Sequence, residues 1–370
     1  YDSLVRERIG AYLKTAFEGR LSAFYPSFPE GSLARVHFII GRSGGKTPRI
    51  AAEELESAVR AIVRTWDDAL RDAVEDEGAD DDIAEIAARF PEDYRNSFAP
   101  PTALFDAKHV AKLSAEHPIA IDFHRRSEQR KNQAALKIYH FGSPVALSRR
   151  VPLLENMGFR VISERTFDLG KTGGKQVFLH DMELESAFGE AIDLSDDGAL
   201  FDEVFLAVWG GEQDNDRLNA LTQQARLGAA QIGVLRAYSR YLHQVGISQS
   251  QGFIADTLNR YPAIAGKLFA LFVERFDPRR AFGENAEVNA RGIEQEIGDA
   301  LEAVPSLDDD MIIRRFLNLI RSTLRTNYFA ESGRRALAFK FDSRLVQGLP
   351  QPRPWREIFV YGPEVEGVHL

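Results

Sequence analysis

Val145-Ala146-Leu147-Ser148-Arg149-Arg150-Val151-Pro152-Leu153-Leu154-Glu155-Asn156-Met157-Gly158-Phe159-Arg160-Val161-Ile162 is the stretch on which the fold turns. Val145 to Met157 reads as a helix. Ser143 stands in N-cap position beside the first-turn Pro144, and Gly158 supplies the stop; Pro152, inside it, would tighten or kink it. Phe159 to Leu169 and Gln176 to Leu184 read as strands joined by the turn Gly170-Lys171-Thr172-Gly173-Gly174-Lys175. Before the helix, Ile119 to His124 and Ala134 to Phe141 form strands around the polar segment Arg125 to Gln133. After the last strand, a helix around Leu200 to Trp209 closes the unit. The order strand, helix, strand, strand, helix predicts an α+β module with an antiparallel sheet.

Toward the amino end, Leu4, Val5, Ile9, Tyr12, Leu13, Ala16 and Phe17 recur at helical spacing until Gly19. Strands follow at Leu21 to Tyr25 and Leu33 to Ile40. One further helix carries the stripe Leu55, Val59, Ile62, Val63, Trp66, Leu70 and Val74, before the acidic run Glu75 to Asp82. Ile83 to Ala115 has short helical pieces broken by Pro91, Pro100 and Pro101. Beyond Asn215 the chain is helical to about Tyr328, with breaks at Gly246, Pro262, Pro278, Gly283 and Pro305, and from Ala336 it turns strand-like, with Pro350, Pro352, Pro354 and Pro363. The expected division is a module at 1–78, a connector at 79–117, a second module at 118–212, a helical segment at 213–330 and strands at 331–370.

The 370 residues carry 46 basic and 55 acidic side chains, a formal charge of -9, and 44% hydrophobic residues. That is folded, soluble composition whose net charge repels a phosphate backbone. Arg149-Arg150, Arg279-Arg280, Arg314-Arg315 and Arg334-Arg335 are isolated pairs and form no stripe, so no nucleic-acid partner is expected. The absence of cysteine removes disulfides, thiolate metal sites and cysteine nucleophiles, and suits a reducing compartment. No apolar run approaches the roughly 18 residues of a membrane span, and Tyr1 to Arg8 has no signal-peptide character. The expected location is the cytoplasm, without a membrane partner. Tyr1 and the strand-turn-strand ending at Leu370 lead to the expectation that sequence continues on both sides.

Gly41-Arg42-Ser43-Gly44-Gly45-Lys46-Thr47 invites comparison with a phosphate-cradling loop, but the spacing needs glycine where Ile40 stands, and Pro48 removes an amide; a strand-to-helix loop is expected. Gly170 to Lys175 reads as a hairpin tip. His124, His140 and His180, with Asp122 and Asp181, are the nearest approach to a ligand set, and read as ordinary strand histidines. Asp308-Asp309-Asp310 and Asp80-Asp81-Asp82 precede apolar helices and read as capping groups. No catalytic, cofactor-binding or metal-ligating residue is assigned. Gly142 and Ser143 are the candidate regulatory site: a glycine between strand and helix leaves amides for a small carboxylate, or else forms a structural turn.

The element order around 145–162 resembles the ACT-type regulatory fold, and the stretch is similar to the amino-terminal region of the large bacterial NAD-specific glutamate dehydrogenases. The likeness continues through Leu235-Arg236-Ala237-Tyr238-Ser239-Arg240-Tyr241-Leu242, Thr257-Leu258-Asn259-Arg260-Tyr261-Pro262, Arg314-Arg315-Phe316-Leu317-Asn318-Leu319, Leu324-Arg325-Thr326-Asn327-Tyr328 and Pro352-Arg353-Pro354-Trp355-Arg356-Glu357-Ile358-Phe359-Val360-Tyr361. It implies two ACT-like modules, the first without its opening strand, and then a helical segment. The catalytic core it implies oxidises glutamate to 2-oxoglutarate and ammonia with NAD on residues beyond Leu370. NAD is thus the cofactor of the parent enzyme, with none expected on residues 1–370. The implied partners are sister subunits of a homo-oligomer, a tetramer, the catalytic core of the same chain, and an amino-acid effector. The region's implied work is regulation and assembly without catalysis; the alternative is an amino-acid-sensing ACT-type module of another metabolic enzyme.

Overall fold

The computed structural model describes residues 3–28, 34–196, 198–281, 285–330 and 336–370. Leu33 as a strand start, Gly283 as a helix break and the Arg334-Arg335 pair lie outside the described residues. The fold is α+β, in two compact units, Tyr1–Ala111 and Lys112–Leu370.

In the first unit, α1 (Ser3–Ala16) packs on the antiparallel hairpin of β1 (Arg20–Ser27) and β2 (Arg35–Gly41) and against α2 (Ala52–Val63). The stripe from Leu55 to Val74, expected as one helix, is two: α2 and α3 (Trp66–Glu77). Thr65 causes the break. Its hydroxyl accepts the Asp68 amide at 3.1 Å while the Asp68 carboxylate accepts the Thr65 amide at 3.0 Å, a capping box that starts a new helix inside a continuous apolar period. Thus α3 packs on α4 (Asp81–Ala88) and α6 (Pro100–Val110), with α5 (Glu92–Arg95) between them in sequence. Pro100 and Pro101 begin α6, where a missing amide costs nothing.

The second unit opens with a four-stranded antiparallel sheet in the order β3 (Ile119–His124), β4 (Gln133–Phe141), β6 (Lys175–Ser186), β5 (Phe159–Thr172). Between β4 and β5 runs α7 (Leu147–Asn156), and α8 (Ala199–Trp209) follows β6. β4, α7, β5, β6 and α8 trace a ferredoxin-like path, and β3 fills the place of the strand that would follow α8. Both sheet edges are protected. Asp202 accepts the Phe123 amide of β3 at 3.3 Å, and β5 carries two register shifts, between Val161 and Ser163 and between Asp168 and Lys171.

Then come a 3-10 turn (Arg217–Ala220), α9 (Leu221–Ala225), α10 (Ala229–Gln244), α11 (Gln251–Arg260), α12 (Pro262–Phe276), α13 (Ala286–Leu301) and α14 (Leu307–Ser322). A second antiparallel sheet has the order β10 (Val365–His369), β9 (Glu357–Gly362), β8 (Leu337–Phe341), β7 (Thr323–Thr326). The helix-facing side of the first sheet, the helices and the second sheet share one hydrophobic core, running from Phe123 and Leu136 through Tyr238, Leu268, Phe272 and Phe316 to Phe339 and Phe359.

Candidate functional site

Gly142 follows β4 with φ +100°, the left-handed region that glycine enters without strain. Its amide, expected to be free for a carboxylate, donates to the Gln176 carbonyl at 2.7 Å. Ser143 is exposed, and its carbonyl lies 2.6 Å from His140 Nδ1. The helix starts later than its sequence suggests: Ala146 is the N-cap residue and makes no side-chain cap bond, so Ser143 lies outside α7. The reason lies in β6. The Val145 amide donates to Nε2 of buried His180 at 2.9 Å, and Ser143, preceding Pro144, is disfavoured in helical conformation. Pro152 sits inside α7 without interrupting it.

Behind the turn lies a buried polar cluster. Arg150, on the first turn of α7, donates to the Val145 carbonyl and to Glu164 of β5. Thr166 Oγ1 lies 2.9 Å from both Glu164 and His180 Nδ1. Because His180 Nε2 accepts the Val145 amide, its proton sits on Nδ1, and burial together with the Arg150 charge pushes its pKa down to about 4. Burial pushes the Glu164 carboxyl up, but the hydrogen bonds from Arg150 and Thr166 outweigh it and hold it below the ordinary range. The outer side of α7 is fixed too, with Arg149 3.5 Å from the Trp209 ring centroid. The arrangement is a rigid turn on a neutral histidine, with the first α7 amides, such as those of Leu147 and Ser148, at its mouth.

The other sequence candidates fall apart spatially or are structural. Strand alternation puts His140 and His180 on the helix-facing side of the first sheet, and Asp122, His124 and Asp181 on the opposite side. Arg42 donates to the Lys46 carbonyl at 2.6 Å, closing the Gly41 to Lys46 loop on itself. Gly173 and Gly174 form the hairpin tip between β5 and β6. The α14 cap oxygen comes from Ser306, 3.2 Å from the Asp309 amide, rather than from the aspartates. Asp309 is instead a buried anchor, accepting from Thr257 at 2.9 Å, from Tyr261 at 3.3 Å and from Arg260. Asp80 stands at the N-cap of α4 but makes no side-chain cap bond.

Sequence reading missed a second polar centre. Arg236 of α10 is fully buried and binds Asp216 through Nε at 2.8 Å and Nη2 at 3.1 Å, Gln213 at 2.9 Å and Asn219 at 2.5 Å. Beside it, Tyr361 of β9 donates to Asp214 at 2.7 Å, Arg240 donates to the same carboxylate at 3.1 Å, and Tyr241 donates to Glu357. The available signal was an arginine one helical turn from Ile232, on the apolar stripe of α10.

Four family models match: the glutamate dehydrogenase ACT2 domain at residues 1–67, the ACT3 domain at 118–196, helical motif 3 at 213–278, and the bacterial NAD-glutamate dehydrogenase catalytic domain at 296–370. Segment by segment, the chain matches the bacterial NAD-specific glutamate dehydrogenases. It is 36% identical to the NAD-specific glutamate dehydrogenase of Halomonas elongata and 35% identical to that of Pseudomonas aeruginosa, along its whole length and 23% of each relative. The Mycobacterium tuberculosis enzyme of that name is 32% identical, with 24% of its length covered. The chain thus spans about a quarter of the length of these relatives. Within this glutamate dehydrogenase frame, the ACT3 match covers β3 to β6, and the ACT2 match ends at Asp67, beside the Thr65 cap. The catalytic-domain match begins in α13. It takes in α14 and the second sheet, which sequence reading had placed in a helical segment and in strands ahead of a core.

Proposed function

We propose that residues 1–370 are the regulatory and assembly region of an NAD-dependent glutamate dehydrogenase together with the opening part of its catalytic domain, and are inactive by themselves. The whole enzyme would convert L-glutamate, NAD+ and water to 2-oxoglutarate, ammonium, NADH and a proton. One observation carries the reading: several polar groups of the family-like segments are spent on internal bonds. Arg236 holds the loop before α9, Thr257 and Arg260 hold Asp309, and Tyr241 and Tyr361 tie α10 and the Asp214 loop to β9. Groups committed in this way hold shape; catalysis needs donors and bases facing a substrate.

Within this region the Gly142–Ser143 turn is the proposed meeting point for a small carboxylate such as an amino acid. The exposed Ser143 and the first amides of α7 support that placement. NAD-dependent glutamate oxidation by the 370-residue chain should be nil, and measurable NADH formation would overturn the reading. Calorimetry with a panel of amino acids separates the two parts of the proposal. Heat of binding that Ser143→Pro abolishes supports sensing at the turn, whereas no heat removes the effector and leaves the assembly role alone.

A further inference from the structure

One exposed tryptophan is flanked by arginines of its own segment, and one more arginine approaches that segment from α14. Trp355 is 68% exposed, yet it is held in place: the Arg344 guanidinium lies 4.2 Å and that of Arg356 4.8 Å from its ring centroid. Asp342 fixes both arginines, at 2.8 and 3.0 Å. Arg353 donates to the carbonyls of Leu349 and Arg344 at 3.1 and 3.4 Å, and Arg315 reaches in from α14, so close that a Cβ on Gly348 would stand 2.8 Å from its Nη1. The neighbouring Glu357 turns inward to Tyr241. Asp342 is thus the one carboxylate paired with these four guanidinium groups among the described residues.

Two physical points make this an interaction surface. Tryptophan and arginine are enriched at the energetic centres of protein interfaces, and side chains already immobilised lose little entropy on binding. In a chain of net charge -9, a patch of the opposite sign also selects acidic partners. The chain carries such a partner itself. Glu75, Asp76, Asp80, Asp81 and Asp82 are exposed and make no ion pair among the described residues. Glu75 and Asp76 sit in the last turn of α3, which has no basic residue and where the helix dipole disfavours negative charge. A cationic surface from outside would relieve that unfavourable placement.

We propose that the Trp355 surface, with Arg315, Arg344, Arg353 and Arg356, docks on the Glu75 to Asp82 stretch of a second copy of this chain. This rests on the assembly half of the proposed function and names its contact. Sedimentation of the 370-residue chain tests it. Self-association should weaken at least about tenfold between ~50 mM and ~500 mM salt, as the screening length contracts. Arg344→Glu with Arg353→Glu should abolish it, as should Asp80→Lys, Asp81→Lys and Asp82→Lys together, while an equimolar mixture of the two variants should associate again because the reversed charges meet. Trp355→Ala should weaken it with circular dichroism unchanged. Association indifferent to both reversals, or a mixture no better than either variant, overturns the contact and leaves assembly through another surface. A monomer at every salt concentration overturns contact and assembly together, without touching the NADH assay. Equally tight binding of an oligonucleotide by the same arginines overturns the choice of an acidic protein partner.

Discussion

Arg236 shows what one side chain contributes here. Its guanidinium is buried, and its donors satisfy Asp216, Gln213 and Asn219 at once. Removing it leaves those acceptors unpaired, so Arg236→Met should destabilise the chain by about 3 kcal/mol in urea unfolding. Arg236→Lys should recover less than half of that, since a point charge cannot reach three acceptors in one plane. Equal stability of Arg236→Met and wild type would sink this account. His180 and Asp202 make the stability depend on pH in opposite senses. His180, lowered to about 4, is neutral in the folded chain while the unfolded histidine titrates near 6.5, so its contribution is intact above that value and is lost as pH falls toward 4. Asp202, raised to about 7 mainly by burial, behaves oppositely: its contribution is present below the ordinary carboxylate range and is lost as pH rises through 7. Asp202→Asn should therefore raise stability at pH 8 and leave it nearly unchanged at pH 4. His180→Phe should flatten the fall between pH 6.5 and 4, and an unaltered profile in both variants would exclude the assignment.

At the scale of elements, the boundaries depend on caps and cross-strand partners more than on apolar periodicity. The stripe Leu55 to Val74 was legible as helix, but the break within it rests on Thr65 and Asp68, two polar residues on the far side of the period. Thr65→Ala should cost about 1 kcal/mol and lower amide protection in the first turn of α3, read by hydrogen exchange; unchanged protection there would mean that packing sets the boundary. The start of α7 could not be found locally, because it is set by His180, 35 residues away on β6. The hairpin tip at Gly173 and Gly174 and the helix stop at Gly158, with φ +84°, were legible, since those demands lie within the turn itself. Of the candidate site, Gly142 was legible as a turn glycine. The commitment of its amide to Gln176 was not, because that depends on the pairing of β4 with β6.

For the molecule as a whole, sequence reading divided Lys112 to Leu370 into modules, while the structure gives that stretch one core. Tryptophan reporters at Trp209 and Trp355 should therefore show coincident urea transitions in variants lacking the other tryptophans; separated midpoints would mean independent domains. What the sequence determined by itself was the class of most elements, the family resemblance and the absence of thiol chemistry, because helix and strand periods, turn residues and composition are local quantities; Thr323–Thr326, expected as helix, is instead β7, paired with β8. What only the tertiary structure decided was which polar groups are buried and which charges converge: Arg236 under the Asp216 loop, Asp309 under Thr257, and Arg315 of α14 against the Gly348 turn of the segment that carries Trp355. Those depend on how elements dozens of residues apart pack together, a free-energy balance that no window of neighbouring residues contains.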